Sequence, residues 1–433
     1  MAERPTGTIT FLFTDVQGST QLWEQHAAWM EQAHRRHEAI LRAAIAAHGG
    51  WAYKQIGDSF QAAFQTAPAA LAAAIAAQQG LVAEAWDAPG PIPVRMGLHT
   101  GTVEERADGY FGPLLNRVHR LMSAGYGGQI LLSATTYELV RDHLPPGVEL
   151  LDLGERRLKD LIRPERVRQV RADGLPAEFP PLRTLDARPN NLPAQPNAFI
   201  GREAQIAAVA GLLHRPEVRL LTLTGPGGTG KTRLALQVAA DLLDEFADGA
   251  WFVDLAPLTD PALVAGSIAE VFSLQESAAR SAQDVLHDYL RGKTLLLVLD
   301  NFEQVRPAAL LVDTLLRRAP HLKVLTTSRV PLHLYGEQEH AVPPLALPAT
   351  QPLPPLERLT QYEAVRLFVE RARTVREDFQ VTNETAPAVA EICARLDGLP
   401  LAIELAAARV RLFAPEALLV RLGARLTMLT GGP

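Results

Sequence analysis

The first 172 residues mix stretches typical of strands with stretches of helical period. The β-branched and aromatic run from Thr8 to Thr14 predicts a buried strand. Trp51 to Phe64 predicts a hairpin that turns at Gly57-Asp58-Ser59. The remaining pattern predicts strands over 94–99 and 129–133 and helices over 29–44, 69–84 and 114–123. This mixed order, with one hairpin, predicts an α+β sandwich.

The pattern changes after residue 199. Four short apolar runs show no alternation of polar and apolar residues, and helical stretches of ten or more residues separate them; the runs cover 219–224, 250–255, 294–299 and 323–327. Strands without alternation are buried on both faces, as in a parallel sheet. This half of the chain is therefore predicted to be a doubly wound α/β domain.

Prolines mark the boundaries between these regions. Residues 171–198 contain six prolines and almost no periodic pattern, which predicts a semi-rigid linker. A second proline cluster, Pro343 to Pro355, precedes a helical stretch. The predicted domains are 1–172, a linker over 173–198, an α/β domain over 199–345 and a helical subdomain over 356–433.

Composition narrows the class of protein. The chain has 42 Lys and Arg against 48 Asp and Glu, so it lacks the basic excess of a dedicated nucleic-acid binder. Its single cysteine, Cys393, excludes an intramolecular disulfide and any cysteine-rich metal site. Its longest apolar stretch, 67–77, is too short to cross a bilayer, and no signal peptide is recognisable. We expect a cytoplasmic protein without membrane or direct nucleic-acid contacts.

A phosphate-binding pattern follows the strand at 219–224. Residues 225–232 read Gly-Pro-Gly-Gly-Thr-Gly-Lys-Thr and precede a predicted helix, which is the context that this motif requires. The glycines allow backbone N–H groups to surround phosphate oxygens. Lys231 is then expected on the β- and γ-phosphates, and Thr232 on Mg²⁺. The predicted nucleotide-binding residues are Gly225, Gly227, Gly228, Gly230, Lys231 and Thr232.

Two further residues stand at the ends of later strands. Asp300 ends the apolar run 295–299, where a second metal-side carboxylate is needed. Arg329 follows another strand and is within reach of a γ-phosphate. The alternatives are a carboxylate that caps a strand and an arginine that is solvated in a loop.

The order of these motifs resembles the NB-ARC branch of the STAND regulatory ATPases over residues 199–433. Residues 199–203 match the family segment near adenine, and 398–401 match its GLPLA motif. The resemblance implies ATP or ADP with Mg²⁺ at the P-loop, and adenine contacts from Ile200, Gly201, Arg202 and Pro400.

Two departures from that family bear on its activity. Asn301 stands where a second acid is common, and Glu303 is the nearest acidic substitute, so inefficient ATP hydrolysis is expected. The sequence also stops before the winged-helix and repeat regions of such proteins. By this resemblance it looks like a truncated switch.

A pair of aspartates marks the first domain. Asp15 follows the strand that begins at Thr8, and Asp58 lies at the tip of the predicted hairpin. If these strands are neighbours, both carboxylates project at one sheet edge and can hold a pair of Mg²⁺ ions. The alternatives are helix capping for Asp15 and ordinary turn chemistry for Asp58.

The residues around the two aspartates add a second resemblance. Phe-Thr-Asp-x-x-Gly-Ser-Thr at 13–20, Lys-x-x-Gly-Asp at 54–58 and the run 110–120 resemble the class III adenylate/guanylate cyclase catalytic domain. The resemblance spans 8–170 and implies a ferredoxin-like α+β fold. It implies two Mg²⁺ or Mn²⁺ ions per site and a homodimer, because active sites in this family form between two domains. The implied roles are metal binding by Asp15 and Asp58, purine reading by Lys54, and ribose or phosphate contacts by Asn116, Arg120 and Lys159.

The second purine-reading position of that family falls on Gly109, with Asp108 one residue away. Lys54 favours ATP, whereas Gly109 supplies no acid, so GTP stays open as a substrate. The leading hypothesis is a signalling enzyme that converts ATP to cyclic AMP and pyrophosphate, regulated by the P-loop module. The alternative is a nucleotide-dependent switch that controls an unknown protein partner and carries an inactive cyclase-like dimerisation domain.

Overall fold

The computed structural model describes residues 4–106, 109–159, 161, 163–193, 195, 197, 199–274 and 280–430. It divides into two compact units. The first comprises Met1–Ala187 with Ala194–Ala198, and the second comprises Arg188–Pro193 with Phe199–Pro433. Within the described ranges, every helix is too short or too polar to cross a lipid bilayer.

The first unit combines strands and helices as the α+β prediction requires. Its strands are β1 (Thr8–Val16), β2 (Trp51–Ile56), β3 (Ser59–Phe64), β4 (Val94–Thr102), β5 (Glu104–Arg106), β6 (Gly109–Phe111), β7 (Ile130–Leu132), β8 (Val148–Arg156) and β9 (Glu165–Ala172). Its helices are α1 (Ser19–Gln25), α2 (Ala27–Ala47), α3 (Ala67–Ala83), α4 (Pro113–Ser123) and α5 (Ala134–Val140).

The main sheet of this unit runs in the order β2-β3-β1-β4-β7-β9-β8. Strand β1 is an inner strand and pairs antiparallel with both β3 and β4. Because side chains alternate along β1, Leu12 packs with the apolar residues of α2 and α3, whereas Phe11 packs with Val118 of α4. The sheet therefore has helices on both faces. Helices α2 and α3 pack on one face, and α4 packs on the other.

The structure corrects one local prediction for β1. The strand extends to Val16, so Asp15 lies inside it rather than after it. Its Cα partner is Arg95 on β4. A carboxylate is tolerated near the end of this buried strand because a cation stands opposite it.

The described part of the predicted linker includes packed segments. Leu182 is buried in the first unit with Leu121 and Leu131. In the second unit, Asn191 accepts a hydrogen bond from the backbone N–H of Phe252 at 2.6 Å and donates one to its carbonyl at 2.8 Å. High proline content thus did not distinguish connecting residues from packed ones.

The second unit is an α/β domain followed by helices. Its strands are β10 (Leu220–Thr224), β11 (Ala250–Asp254), β12 (Leu296–Asp300), β13 (Lys323–Ser328) and β14 (Glu337–Ala341). Its helices are α6 (Glu203–His214), α7 (Lys231–Asp241), α8 (Val264–Val271), α9 (Ala282–Leu290), α10 (Ala309–Arg318), α11 (Leu356–Leu359), α12 (Glu363–Val375), α13 (Ala386–Arg395), α14 (Pro400–Ala407) and α15 (Pro415–Thr430).

The sheet of the second unit is parallel throughout, in the order β11-β12-β13-β10-β14. The predicted parallel arrangement is confirmed for the four apolar strands. Strand β14 was not predicted, because an edge strand is half-exposed and this one reads Glu-Gln-Glu-His-Ala. Helices α11 to α15 form a helical subdomain with its own core, which includes Phe368, Val389 and Ile403.

Two candidate nucleotide sites

The two aspartates of the first unit share one end of the sheet. Strand β1 carries Asp15, and the turn between β2 and β3 carries Asp58. The Ser59 hydroxyl donates to Asp15 Oδ1 at 2.6 Å, and the Val16 backbone N–H donates to Asp58 Oδ2 at 3.1 Å. Each aspartate therefore accepts a hydrogen bond from the residue that follows the other aspartate in the sequence.

Arg95 completes this cluster, and the sequence analysis missed it. Its Nε and Nη2 donate to Asp15 Oδ2 at 3.0 and 2.6 Å, and both side chains are only 18% exposed. Its Nη1 donates to the Ser123 carbonyl at the end of α4 at 3.1 Å. The contact depends on the register between β1 and β4, which the sequence does not reveal.

Burial raises the pKa of Asp58 above its ordinary value. The nearby charge of Asp15 acts in the same direction, whereas hydrogen bonds from the backbone and from Ser19 oppose it. The cluster therefore favours a cation beside these carboxylates.

The donor set suits Mg²⁺ or Mn²⁺. The described residues contain no group of three or more His, Cys, Asp or Glu side chains arranged to hold a metal. An ion at Asp15 and Asp58 would thus rely on water and phosphate oxygens for its other ligands. Mg²⁺ is commonly bound in that way, by one or two carboxylates with substrate phosphates.

The predicted purine-side residues lie on β2 and β6. Lys54 is exposed on the edge strand β2, directly after a β-bulge. Gly109 has φ +148°, and a Cβ at this position would lie 3.4 Å from the Tyr53 ring. Any other side chain would be strained at this φ angle, which explains why a glycine stands there. Gly109 itself has no side chain that could contact a base. Asp108 lies outside the described residues.

The other predicted cyclase residues lie on α4 and after β8. Asn116 is exposed and Arg120 is half-buried, one turn further along α4. Asn116 and Ser123 are seven positions apart, which corresponds to about 10 Å along the helix axis. Since Ser123 marks the end of α4 that Arg95 joins to Asp15, Asn116 stands well away from the carboxylates. Lys159 lies half-buried between β8 and β9.

The P-loop of the second unit connects β10 to α7. Gly225, Gly228 and Gly230 have positive φ angles of 144°, 80° and 89°, which only glycine adopts readily. A Cβ at Gly225 would lie 3.0 Å from the Val342 carbonyl oxygen. Lys231 folds over the loop, and its Nζ donates to the carbonyls of Gly225 and Pro226 at 2.7 and 2.9 Å.

Asp300 lies beside the hydroxyl that was predicted to bind Mg²⁺. Thr232 and Thr327 donate to Asp300 Oδ1 at 2.7 and 2.5 Å, and Asn301 Nδ2 donates to Oδ2 at 2.9 Å. Burial raises the pKa of Asp300, and the two hydroxyl hydrogen bonds oppose that rise. The Thr232 hydroxyl and the Asp300 carboxylate are the oxygen ligands that Mg²⁺ prefers.

A cleft of about 290 Å³ adjoins this loop. Nine of the predicted residues line it, and they come from distant parts of the sequence: Ile200, Arg202, Gly227, Gly228, Gly230, Lys231, Thr232, Arg329 and Pro400. Its apolar part contains Leu345, Leu367 and Leu401 as well. The Leu401 N–H donates to the Gly228 carbonyl at 3.3 Å, so the start of α14 rests on the P-loop.

Arg202 has a structural task in the same cleft. It is 3% exposed, and its Nη2 donates to the carbonyls of Thr229 and Pro343, each at 2.7 Å. Its backbone N–H donates to Glu363, and a Cβ at the preceding Gly201 would meet that glutamate at 2.8 Å. Arg202 therefore fixes the P-loop as well as lining the cleft, whereas Gly201 is absent from the lining.

Comparison with known proteins follows the division into two units. Residues 1–166 match the adenylate and guanylate cyclase catalytic domain, and residues 198–326 match the AAA ATPase domain. The uncharacterized protein Mb0915c of Mycobacterium bovis is 43% identical over 206 residues, which are 47% of this chain and 70% of that protein. This chain belongs to the family of that protein. It carries a class III cyclase domain and an AAA ATPase domain.

Other similar proteins include the uncharacterized protein Rv0894 of Mycobacterium tuberculosis, 43% identical over 235 residues. The match covers 54% of this chain and 56% of the relative, so the chain spans about half the length of that relative. Among solved structures, an adenylate cyclase of Trypanosoma brucei in its monomeric state is 25% identical, with a TM-score of 0.38. That match covers 42% of this chain and 96% of the solved one.

Sequence reasoning missed the residues that hold the metal-side carboxylates of both domains. In the cyclase domain these are Arg95 and Ser59, and in the ATPase domain Thr327. A polar residue inside an apolar strand was the available signal for Thr327, since it falls in the run 323–327. Arg95 carried the same signal, since it lies between Val94 and Met96 in the predicted strand 94–99.

Proposed function

We propose that the chain is a nucleotide cyclase that converts ATP to cyclic AMP and pyrophosphate. The ribose 3′-hydroxyl gives up its proton to water as its oxygen bonds to the α-phosphorus, and the bond from that phosphorus to the pyrophosphate oxygen breaks. The close pairing of Asp15 and Asp58 in a cyclase domain carries this proposal. These carboxylates would hold Mg²⁺ or Mn²⁺ ions, which lower the pKa of a bound hydroxyl and neutralise phosphate charge.

The active form is proposed to be a homodimer with two equivalent sites. Asn116 lies about 10 Å along α4 from the end that Arg95 joins to Asp15. One chain is therefore poorly arranged to place Asn116 and the aspartates around a single triphosphate. A second copy, related by a two-fold axis, would supply Asn116 and Arg120 to the partner's carboxylates and receive the same in return.

We propose that the remaining residues contact other parts of the substrate. Lys54 would read the purine, and Asn116 would orient the ribose. Arg120 and Lys159 would offset the charge that develops on the phosphates. Lys54 favours ATP, while Gly109 supplies no second base contact, so discrimination against GTP is expected to be modest.

An assay of cyclic nucleotide formation tests the enzyme proposal. The full chain with Mn²⁺ or Mg²⁺ should convert ATP to cyclic AMP, with GTP as a poorer substrate. Asp15→Asn and Asp58→Asn should each lower the rate at least about 100-fold, since even outer partners of metal ligands contribute 10- to 100-fold. A matched control is Asp142→Asn, an exposed aspartate of the same domain. If neither ATP nor GTP is converted to a cyclic nucleotide, the proposal that the chain is a cyclase is wrong.

We also propose that the ATPase domain works as an NB-ARC/STAND-type module that binds ATP or ADP with Mg²⁺ and regulates the cyclase. Support comes from contacts between the P-loop and the helical subdomain. Leu401 of α14 bonds the loop at Gly228, and Glu404 of α14 is paired with Arg233 of α7 and Arg371 of α12. A change at the phosphates therefore has a direct route to the helices.

The effect of ADP on the cyclase tests this regulatory part. Cyclase activity of the wild-type chain should change with added ADP, and Lys231→Met should make it insensitive. If both chains respond alike, the P-loop does not regulate the cyclase.

A second candidate function is a nucleotide-dependent switch with an inactive cyclase domain, which would act on a protein partner. Gly109 and the Arg95 contact on Asp15 favour it. It predicts a dimer that binds nucleotide at Lys231 and forms no cyclic product.

A further inference from the structure

Residues 182–192, which we call the coupling segment, are bonded to the first unit at one end and to the second unit at the other. In the first unit, the Arg183 N–H donates to the Ala124 carbonyl at 2.9 Å, where α4 ends. Ala124 directly follows Ser123, whose carbonyl accepts the hydrogen bond from Arg95. The coupling segment therefore holds α4 beside the contact that joins this helix to the metal-side carboxylates.

The same end of the coupling segment also holds the backbone that leads to Lys159. The Leu185 N–H donates to the Arg157 carbonyl at 2.9 Å. In return, the Arg157 N–H donates to Asp186 Oδ2 at 2.6 Å. Both elements that carry the proposed phosphate-side residues of the cyclase are thus bonded to this one stretch of the linker.

The other end of the coupling segment extends the ATPase sheet. Asn190 forms a parallel bridge with Ala250 of β11, and the Ala250 N–H donates to the Pro189 carbonyl at 3.3 Å. The side-chain amide of Asn191 accepts from the N–H of Phe252 and donates to its carbonyl. The segment is therefore fixed along the edge of β11 by both main-chain and side-chain hydrogen bonds.

Strand β11 connects this edge with the metal-side carboxylate of the ATPase site. Asp254 of β11 lies opposite Asp300 of β12, and the Leu255 N–H donates to the Asp300 carbonyl at 3.0 Å. Asp300 in turn accepts a hydrogen bond from Thr232 of the P-loop. A change at the phosphates therefore reaches the edge of β11 through adjacent strands.

Little free chain lies between the two sets of contacts. Asp186, which bonds to Arg157, and Pro189, which bonds to Ala250, are three positions apart in the sequence. A chain of that length extends to about 11 Å at most. A displacement of β11 is therefore transmitted to residues 183–186 rather than absorbed by the connection.

We propose that the coupling segment is the element through which the nucleotide at the P-loop regulates the cyclase, an inference that rests on the regulatory role proposed above. Exchange of ADP for ATP beside Asp300 shifts β11, and the coupling segment carries that shift to the end of α4 and to the backbone before Lys159. The nucleotide thereby changes how the phosphate-side residues of the cyclase are placed.

The test is a Gly-Ser-Gly-Ser insertion between Ala187 and Arg188, two exposed residues, in the full chain. Gly/Ser sequences are flexible, so the insertion adds free length without removing a hydrogen bond of either end. In the wild type, saturating ADP should change the cyclase rate about fivefold or more, as is usual for allosteric coupling. In the insertion variant the rate should no longer depend on ADP, while the basal rate and the affinity for ADP stay at wild-type values.

The matched control is the same insertion between Ala177 and Glu178. Both residues are exposed, and both belong to the first unit, upstream of the coupling segment. This variant should keep the wild-type response to ADP.

A point substitution tests the second anchor separately. Asn191→Ala removes both side-chain hydrogen bonds to Phe252 and should weaken the response to ADP. Asn383→Ala, at an exposed asparagine of the helical subdomain, should leave the response unchanged.

Amide hydrogen exchange provides a readout that does not require cyclase turnover. The exchange rates of the Arg157 and Arg183 N–H groups should differ between the ADP-bound and nucleotide-free wild-type chain. In the Ala187–Arg188 insertion variant, ADP should leave both rates unchanged.

The outcomes separate this inference from the regulatory proposal. If the wild type responds to ADP and the Ala187–Arg188 insertion variant responds equally, regulation stands and the coupling segment does not transmit it. If that insertion abolishes basal turnover, the segment is part of the cyclase fold and the inference is wrong. If ADP changes neither the cyclase rate nor the exchange rates of the wild type, the regulatory proposal and this inference fail together.

Discussion

The two candidate sites use the same kinds of residue but are assembled differently. In the ATPase domain, a continuous loop supplies the backbone, the lysine and the hydroxyl, and Asp300 joins it through Thr232. In the cyclase domain, the aspartates come from β1 and a hairpin, and Asn116 lies on a helix that leads away from them. One site is closed within a unit, whereas the residues proposed for the other lie in two separate groups, and we call it the split site.

The charged side chains of the two sites also differ in where their partners lie in the sequence. Lys231 bonds to carbonyls of its own loop, so the P-loop satisfies its cation locally. Asp15 instead pairs with Arg95, a residue 80 positions away that also bonds the end of α4. Because the residues proposed for the split site lie in two groups on one chain, its activity should depend on assembly of two chains.

The largest expected effect comes from mixing two inactive chains. Asp15→Asn/Asp58→Asn and Asn116→Ala/Arg120→Ala should each be inactive as cyclases. A one-to-one mixture should recover about a quarter of wild-type activity, because half of the dimers are mixed and each holds one intact site. The measurement is cyclic AMP formed after the chains are unfolded and refolded together. A mixture that stays inactive would contradict the split-site view.

Loss of the P-loop lysine should weaken nucleotide binding at the closed site. Lys231→Met should weaken binding of ATP at least about 10-fold, since hydrogen bonds to charged groups contribute about 1.5–3 kcal/mol. Equilibrium binding of a fluorescent ATP analogue measures this change. The matched control is Lys293→Met, because Lys293 pairs with Asp248 outside the cleft. If both variants lose the same amount of ATP affinity, the loss in Lys231→Met does not come from a specific contact between Lys231 and the phosphates.

Acid should weaken the unit that contains the split site through His37. This histidine is fully buried behind Phe60, and burial, aided by the charge of His34, lowers its pKa to about 4 from 6.5. The unfolded chain takes up the proton first, so stability falls as pH drops from 6.5 towards 4. The loss reaches about 3 kcal/mol for this group, because each unit of pKa difference between the folded and unfolded states corresponds to about 1.4 kcal/mol.

His37→Phe should remove that part of the slope in denaturant titrations at several pH values. The exposed His26 provides the control, and His26→Phe should leave the slope unchanged. An unaltered slope in His37→Phe would show that His37 does not stay neutral in the folded unit.

The smallest effect concerns Asp58. Its raised pKa means that ionised Asp58 destabilises the metal-free fold at neutral pH, and that the penalty disappears once acid protonates it in both states. Asp58→Asn should therefore raise the melting temperature slightly at pH 7 and not below the ordinary aspartate pKa. Added Mg²⁺ should stabilise the wild type more than the variant. A lower melting temperature for Asp58→Asn at pH 7 would contradict this account.

Contiguous features of the second unit were predictable from the sequence. The P-loop occupies eight successive residues between a strand and a helix, and its glycines reflect the positive φ angles found there. The apolar runs predicted the parallel sheet because burial on both faces removes alternation. Strand β14 was not predicted, because an exposed edge strand tolerates charged residues such as Glu337 and Glu339.

Contacts between distant residues were not predictable. The pairing of Asp15 with Arg95 follows from the register of β1 on β4. A shift by one residue would move Arg95 to the other face. The contact of Glu303 with Arg329 likewise depends on the left-handed turn at Asn301 and on the position of the next strand.

The sequence alone predicted the two domains, the P-loop and the residue types proposed for both sites, because local spacing and polarity encode them. The tertiary structure alone decided which charges meet. It placed Arg95 on Asp15, Thr327 on Asp300 and Arg329 on Glu303. The physical reason is that charge interactions depend on distance and burial, and for these pairs both are fixed only when strands far apart in the chain are packed side by side.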